Sequence, residues 1–165
     1  MTIKEALNQR ILILDGAMGT CIQKFGLTEA DFRGDEFKNH PVMLKGNNDI
    51  LNLTAPQVIA EVHQMYVDAG ADIIETNSFS SNKISQHEYH CEHLARRMNT
   101  AAAQNARRVA DACTSRKVWV AGSMGPTSKT LSLSPDINHP EYRATAFDTM
   151  ADAYTEQVEG RIDGG

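Results

Sequence analysis

Three short apolar runs, each stopping on an acid or a glycine and each followed by enough chain for helices, constrain this 165-residue sequence more than any other feature. The first, Ile11-Leu12-Ile13-Leu14, stops on Asp15-Gly16. The second, Asp72-Ile73-Ile74-Glu75-Thr76-Asn77, comes directly after Asp68-Ala69-Gly70. The third, Val118-Trp119-Val120-Ala121, opens into Gly122-Ser123-Met124-Gly125-Pro126-Thr127. The first run is apolar on both faces, which predicts a central parallel strand covered by helices. Strands alternating with helices in this way predict an α/β fold of right-handed βαβ units on a parallel sheet.

The intervening segments carry helix signals. Residues 3–9 predict a short lead-in helix. Thr54 and Gln57 have capping-box spacing, and Val58, Ile59, Val62, Met65, Tyr66 and Ala69 then define one apolar face that ends at Gly70. Residues 83–114 are mostly helix formers, with Leu94, Met98, Ala102, Val109 and Cys113 inward. Asn138 and Glu141 predict a second capping box, before a helix whose inner face carries Tyr142, Ala146, Phe147, Met150, Tyr154 and Val158. The pattern breaks between Phe25 and Leu53, and so long a connection predicts function. The last helix closes on Asp163-Gly164-Gly165, as an earlier one closes on Asp68-Ala69-Gly70, so the alternation predicts a further strand after Gly165.

Composition excludes several function classes. A net charge of −5 gives no electrostatic footprint for nucleic acid. No apolar stretch approaches the ~20 residues of a membrane span. The amino terminus lacks the apolar core of a signal peptide, which predicts a cytoplasmic protein. Three widely spaced cysteines, Cys21, Cys91 and Cys113, argue against a disulfide framework and fit a reducing compartment.

In parallel α/β folds, ligands bind at the carboxyl ends of the strands. The three ends here offer Asp15-Gly16-Ala17, Glu75-Thr76-Asn77 and Gly122-Ser123. Asp15 suits an ammonium group, and the amides of Gly16 and Ala17 suit a carboxylate, a combination that fits an amino acid. Taken singly, Asp15 reads better as a loop cap, with the glycines only turning the chain; the three acid or glycine ends together favour ligand binding. The glycine patterns match neither a dinucleotide fingerprint nor a phosphate loop, and Ser123 does not sit in a hydrolase elbow. His87, His90 and Cys91 would share one face of a continuous helix and could hold a transition metal there; a solvated helix start is the plainer reading. Cys113 reads as a packed core thiol. Cys21 lies where it could face the site.

The stretches ILDGAMGT, LKGNNDILNLT, AGADIIETNSFSSN, GSMGPT and SLSPDINHPEYR together resemble the amino-terminal homocysteine-binding module of cobalamin-dependent methionine synthases, in the homocysteine S-methyltransferase family. The likeness runs in unbroken order from Arg10 to Gly165. It implies a (β/α)8 barrel, ordinarily about 250 residues, of which residues 1–165 form about three βα units, truncated before the fourth strand. It also implies that Asp15 holds the ammonium group of homocysteine and that Gly16 and Ala17 meet its carboxylate. Glu75, Thr76, Asn77 and Ser123 would line the same mouth. Methyl transfer in this family uses zinc on three cysteines, including a Cys-Cys pair that this segment lacks. The zinc ligands are therefore expected beyond residue 165. Cobalamin and methyltetrahydrofolate are expected in other modules of the parent chain, which would be partners of this one. The segment alone is expected to be inactive. Two alternatives stay open: a fragment of a cobalamin-independent homocysteine methyltransferase, and a non-catalytic βα unit that associates with itself.

Overall fold

Thr2 and Glu5 form a reciprocal capping box that starts α1 (Ile3–Leu7), in a computed structural model that describes residues 2–165. The first apolar run follows and differs from expectation. It makes a single parallel bridge, Leu14 to Ile73. Asp15 N–H donates to the Ile73 carbonyl (2.9 Å), and the N–H groups of Asp72 and Ile73 both donate to that of Ile13 (2.8 and 3.1 Å). Ile11 is 84% exposed, and Ile13 and Leu14 are also exposed. The run is an open edge rather than a covered central strand, because no element among the described residues packs on its outer side. Arg10 pins its entrance: the guanidinium donates to both Asp72 carboxylate oxygens (2.8 and 2.7 Å), and Ile13 N–H donates to the same carboxylate (3.0 Å). The Arg10 hydrogen bonds hold the Asp72 carboxyl down at about 2.

Two short helices come next, α2 (Met18–Gln23) and α3 (Glu29–Arg33). The irregular stretch after α3 is tied down by one ion pair. Arg33 Nε donates to Glu29 (2.6 Å), and Glu29 accepts the N–H groups of Leu44 and Lys45 (2.9 and 2.7 Å). The rest of the Arg33 guanidinium donates to the carbonyls of Phe37, Lys38, His40 and Val42. Backbone groups that no ladder satisfies are thereby paired.

A 3-10 turn at Asn48–Ile50 runs into α4 (Leu51–Thr54), and α5 (Pro56–Asp68) follows at once. The capping box predicted at Thr54 does not form. Thr54 ends α4, its hydroxyl donating to the Ile50 carbonyl (3.4 Å), and Pro56 sets the first turn of α5 instead. Val58, Ile59 and Val62 face inward as expected, joined by His63 and Val67, while Met65 and Ala69 are exposed. Gly70, at φ 101°, terminates the helix.

Strand β1 (Ile73–Glu75) pairs in parallel with β2 (Trp119–Ala121), in the register Ile73–Trp119, Ile74–Val120 and Glu75–Ala121. With the Leu14 bridge, the order is first run, β1, β2. Between the strands, the predicted long helix is broken into α6 (Lys83–Gln86), two 3-10 turns (His87–Tyr89 and Glu92–Leu94) and α7 (Ala95–Ala112). His90 adopts a left-handed conformation at φ 52°, so His87, His90 and Cys91 share no helix face. His87 pairs instead with Glu92.

Helix α8 (Phe147–Gly164) starts later than expected, with Ala146 at its cap, and Asn138 and Glu141 lie outside it. Its buried stripe is Ala153, Gln157, Gly160 and Arg161, whereas Tyr142, Phe147 and Val158 are exposed. The stripe is small and polar because α8 lies hard against α7. Arg96 pairs with Glu159 and Asp163, and Thr100 donates to the Gly160 carbonyl (2.9 Å). A Cβ on Gly160 would meet the Arg96 carbonyl oxygen at 2.7 Å, and one on Gly164 would meet that of Thr100 at 2.5 Å. Contacts advance together along both helices, so the two run parallel.

The core has two parts. One, around Ile22, Phe32, Leu51, Ile59 and Met98, lies among the helices; the other, around Val67, Ile74, Val109 and Val118, lies between sheet and helices. No helix among the described residues is long and apolar enough to cross a membrane.

Candidate functional site

The Leu14 bridge and the β1–β2 register bring three strand ends side by side. Asp15 Oδ1 accepts the N–H of Glu75 (3.0 Å), so the Asp15 carboxylate is tied to the end of the adjacent strand. Burial pushes the Asp15 carboxyl up to about 6; the Glu75 N–H bond opposes this, and the Glu75 charge adds to it. A cation placed against the Asp15 carboxylate would reverse the penalty. Gly16 and Ala17 are exposed beside Asp15, at the entry to α2.

Thr76 and Asn77 are buried and join the strand ends to the loops. Thr76 N–H donates to the Ala121 carbonyl (2.9 Å), and its hydroxyl oxygen accepts Ser123 N–H (3.0 Å). Asn77 Nδ2 donates to the Asn48 carbonyl (2.8 Å), and its own carbonyl accepts Asn52 Nδ2 (2.6 Å). The arrangement therefore groups Asp15, Gly16, Ala17 and Glu75 on one side. Thr76, Asn77 and the half-buried Ser123 stand behind them and across β2.

Several polar residues at these strand ends escaped the sequence reading. Asp49 is buried, with Oδ1 accepting Ser80 N–H (3.0 Å) and the Ser81 hydroxyl (2.6 Å). Burial raises its pKa and these bonds oppose the rise. Ser78 and Arg161, also buried, meet beneath Ser123. An acid inside the Asn-rich stretch Lys45–Asp49 was the available signal for Asp49. For Arg161 it was a cation spaced one helical turn from Gln157. The loops also enclose a polar recess of about 310 Å³, lined by Asn48, Asp49, Ser80, Gln86 and Thr127.

Among the described residues, no three His, Cys, Asp or Glu side chains converge on a possible metal position. Cys21 turns into the core rather than the site, 3.5 Å from the Tyr66 hydroxyl. Cys91 is buried, donates to the Tyr89 carbonyl (3.2 Å), and has its thiol pushed up to about 11 by burial. Cys113, expected in the core, is only half-buried at its margin.

A family model described as homocysteine S-methyltransferase matches residues 12–165. Among solved structures, the homocysteine methyltransferase MmuM from Escherichia coli is similar in three forms. Its metallated form superposes with a TM-score of 0.71 at 20% identity, covering 99% of this chain and 54% of that one. The oxidized form gives 0.71 at 21% identity, with 99% and 53% covered. The apo form gives 0.59 at 22%, with 96% and 48% covered. The chain spans about half the length of these structures, and at such identity the likeness is one of fold.

Proposed function

Since the chain belongs to the homocysteine S-methyltransferase family, we propose that residues 1–165 are a partial homocysteine-binding domain, the first three βα units of a (β/α)8 barrel. The strand order, the parallel pairing and the half-length match to a homocysteine methyltransferase support this reading. In such a barrel the strand ends described above open onto the substrate.

The observation that carries the assignment is the half-buried Asp15 carboxylate, held at its strand end by the Glu75 N–H and felt by the Glu75 charge. A carboxylate desolvated at a strand-end opening, with a second acid's charge acting on it, is unfavourable alone and favourable beside an ammonium group. Asp15 takes the amino group of homocysteine through Oδ2, while Oδ1 stays on Glu75 N–H. The amides of Gly16 and Ala17 take the carboxylate. Glu75 adds negative potential, and Thr76, Asn77 and Ser123 complete the wall. The substrate sulfur then points away from these groups. In the reaction the thiol loses its proton, the sulfur forms a bond to the methyl carbon, and the donor's bond to that carbon breaks, giving methionine.

The side chains of this segment do not fit zinc, because no ligand set converges among the described residues. No step of the reaction is assigned to a metal held here. The donor we assign is methylcobalamin, recharged by methyltetrahydrofolate in neighbouring modules; the KGNND and SPD stretches support that choice over a cobalamin-independent enzyme. Turnover that persists in cobalamin-free enzyme would favour the alternative.

Asp15→Asn in the complete methyltransferase polypeptide tests the site. Loss of a charged hydrogen bond of ~1.5–3 kcal/mol should raise KM for homocysteine roughly ten- to a hundredfold, with kcat little changed. An unaltered KM removes the assigned role of Asp15.

A further inference from the structure

Helix α8 carries one cation on its buried stripe. Arg161 is 9% exposed, and its guanidinium is spent on the ends of both strands. Nε donates to Ser78 Oγ (3.1 Å), and Nη2 donates to the carbonyls of Ser78 (3.2 Å) and Ser123. Ser78 follows β1 and Ser123 follows β2, so a single side chain bridges the two exits.

The hydrogen bonds around it have a fixed direction. A guanidinium only donates, so Nε–H occupies an acceptor position on Ser78 Oγ. The single Ser78 proton goes to the Ser123 carbonyl (3.2 Å). The Thr76 hydroxyl, 2.7 Å away, then donates to Ser78 Oγ while accepting Ser123 N–H (3.0 Å). Both backbone polar groups of Ser123 are thus held by a chain that begins at Arg161. Gln157, one turn earlier on α8, adds a bond to the Ser78 carbonyl (2.8 Å). The fit is close: a Cβ on Gly122 would lie 2.8 Å from Arg161 Cδ.

We propose that Arg161 is a positioning residue of the homocysteine site, a clamp that locks the exits of β1 and β2 together and sets where Ser123 stands. The proposal rests on the substrate reading above. A buried charge costs desolvation that an apolar residue at the same place would avoid. What the buried guanidinium gains in return is the Ser78 hydroxyl and the two strand-exit carbonyls it holds. Asp49, buried nearby, offsets part of the desolvation through its charge, and the guanidinium, brought down to about 10 mainly by burial, keeps its proton at neutral pH.

The test uses the complete polypeptide with Arg161→Met, Arg161→Lys and Gly122→Ala, and Asp15→Asn in parallel. Arg161→Met should raise KM for homocysteine about tenfold with kcat within about twofold, the pattern of a misplaced binding wall. Amide exchange at Ser123 should speed up by a similar factor. Arg161→Lys should recover part of the KM change, since an ammonium reaches one carbonyl. Gly122→Ala displaces the arginine stem without deleting a hydrogen-bonding group, so it should reproduce the KM rise and add little on top of Arg161→Met. Should Arg161→Met not fold, the other two variants decide the matter. Unchanged KM and Ser123 exchange, or a fall in kcat alone, would overturn the clamp. Asp15→Asn without effect would sink the substrate reading and the clamp's role with it. Asp15→Asn with its effect and Arg161→Met without would sink the clamp alone.

Discussion

Asp15 is ionised at neutral pH against the preference of its surroundings, and stability should show it. Its folded pKa, about 6, lies above the ordinary 3.8, so the folded state binds this proton more tightly than the unfolded chain. Stability therefore falls as pH rises from about 4 to about 6, and the loss persists above that window. Asp15→Asn keeps an oxygen for Glu75 N–H and removes the desolvation cost of the charge together with the smaller repulsion from Glu75. The variant should melt higher than the parent above pH 6, and the gain should vanish below pH 4. His63 works in the opposite sense: it is fully buried, neither ring nitrogen has a partner among the described residues, and burial lowers its pKa to about 4. It withdraws stability as pH falls from 6.5 towards 4. The two windows overlap, so the difference in melting temperature between variant and parent is the readout, not either profile alone. A difference that does not change with pH would show that Asp15 is unstrained.

At the scale of elements, the contact between α7 and α8 makes a sharp case. Helix propensity alone predicts that Gly160→Ala stabilises α8 by up to about 1 kcal/mol. The close approach of the Arg96 carbonyl predicts the reverse, a loss of about 1–3 kcal/mol from overpacking. Chemical denaturation decides the sign. The same contact explains why the inner face of α8 was illegible: Gly160, Gln157 and Arg161 are buried by proximity and hydrogen bonds, which leave no trace in hydropathy. The first half of α5 was legible because Val58, Ile59 and Val62 repeat at helical spacing. The start of α5 was not, since Thr54 and Gln57 match a cap whose place Pro56 takes. The break at His90 falls among good helix formers, and only its left-handed backbone marks it. Asp15 and Glu75 could be read from strand ends alone. Arg161 and Ser78 lie 83 residues apart and meet only in three dimensions.

For the molecule as a whole, the sheet is its weak point. The first run keeps one side unpaired, and β2 has no partner beyond β1 among the described residues. Exposed Ile11, Ile13 and Leu14 leave apolar surface in water, at ~25 cal/mol per Å². Open, apolar edges of this kind template pairing with another chain. The isolated 165-residue polypeptide should therefore self-associate or exchange its strand amides quickly, and light scattering with amide exchange on dilute samples reads both. A monodisperse monomer with slow exchange in all three strands would show a self-sufficient domain. The long connection after α3 behaves differently, although it has almost no regular structure. Lys38 presents an exposed side chain that trypsin would select, but the protease must first draw the flanking backbone into an extended form. Arg33 holds the carbonyls of Phe37, Lys38, His40 and Val42 on either side of that bond. Digestion of the intact protein should therefore spare Lys38, and in Arg33→Met it should become an early cut, so that one guanidinium decides how long this stretch of chain survives.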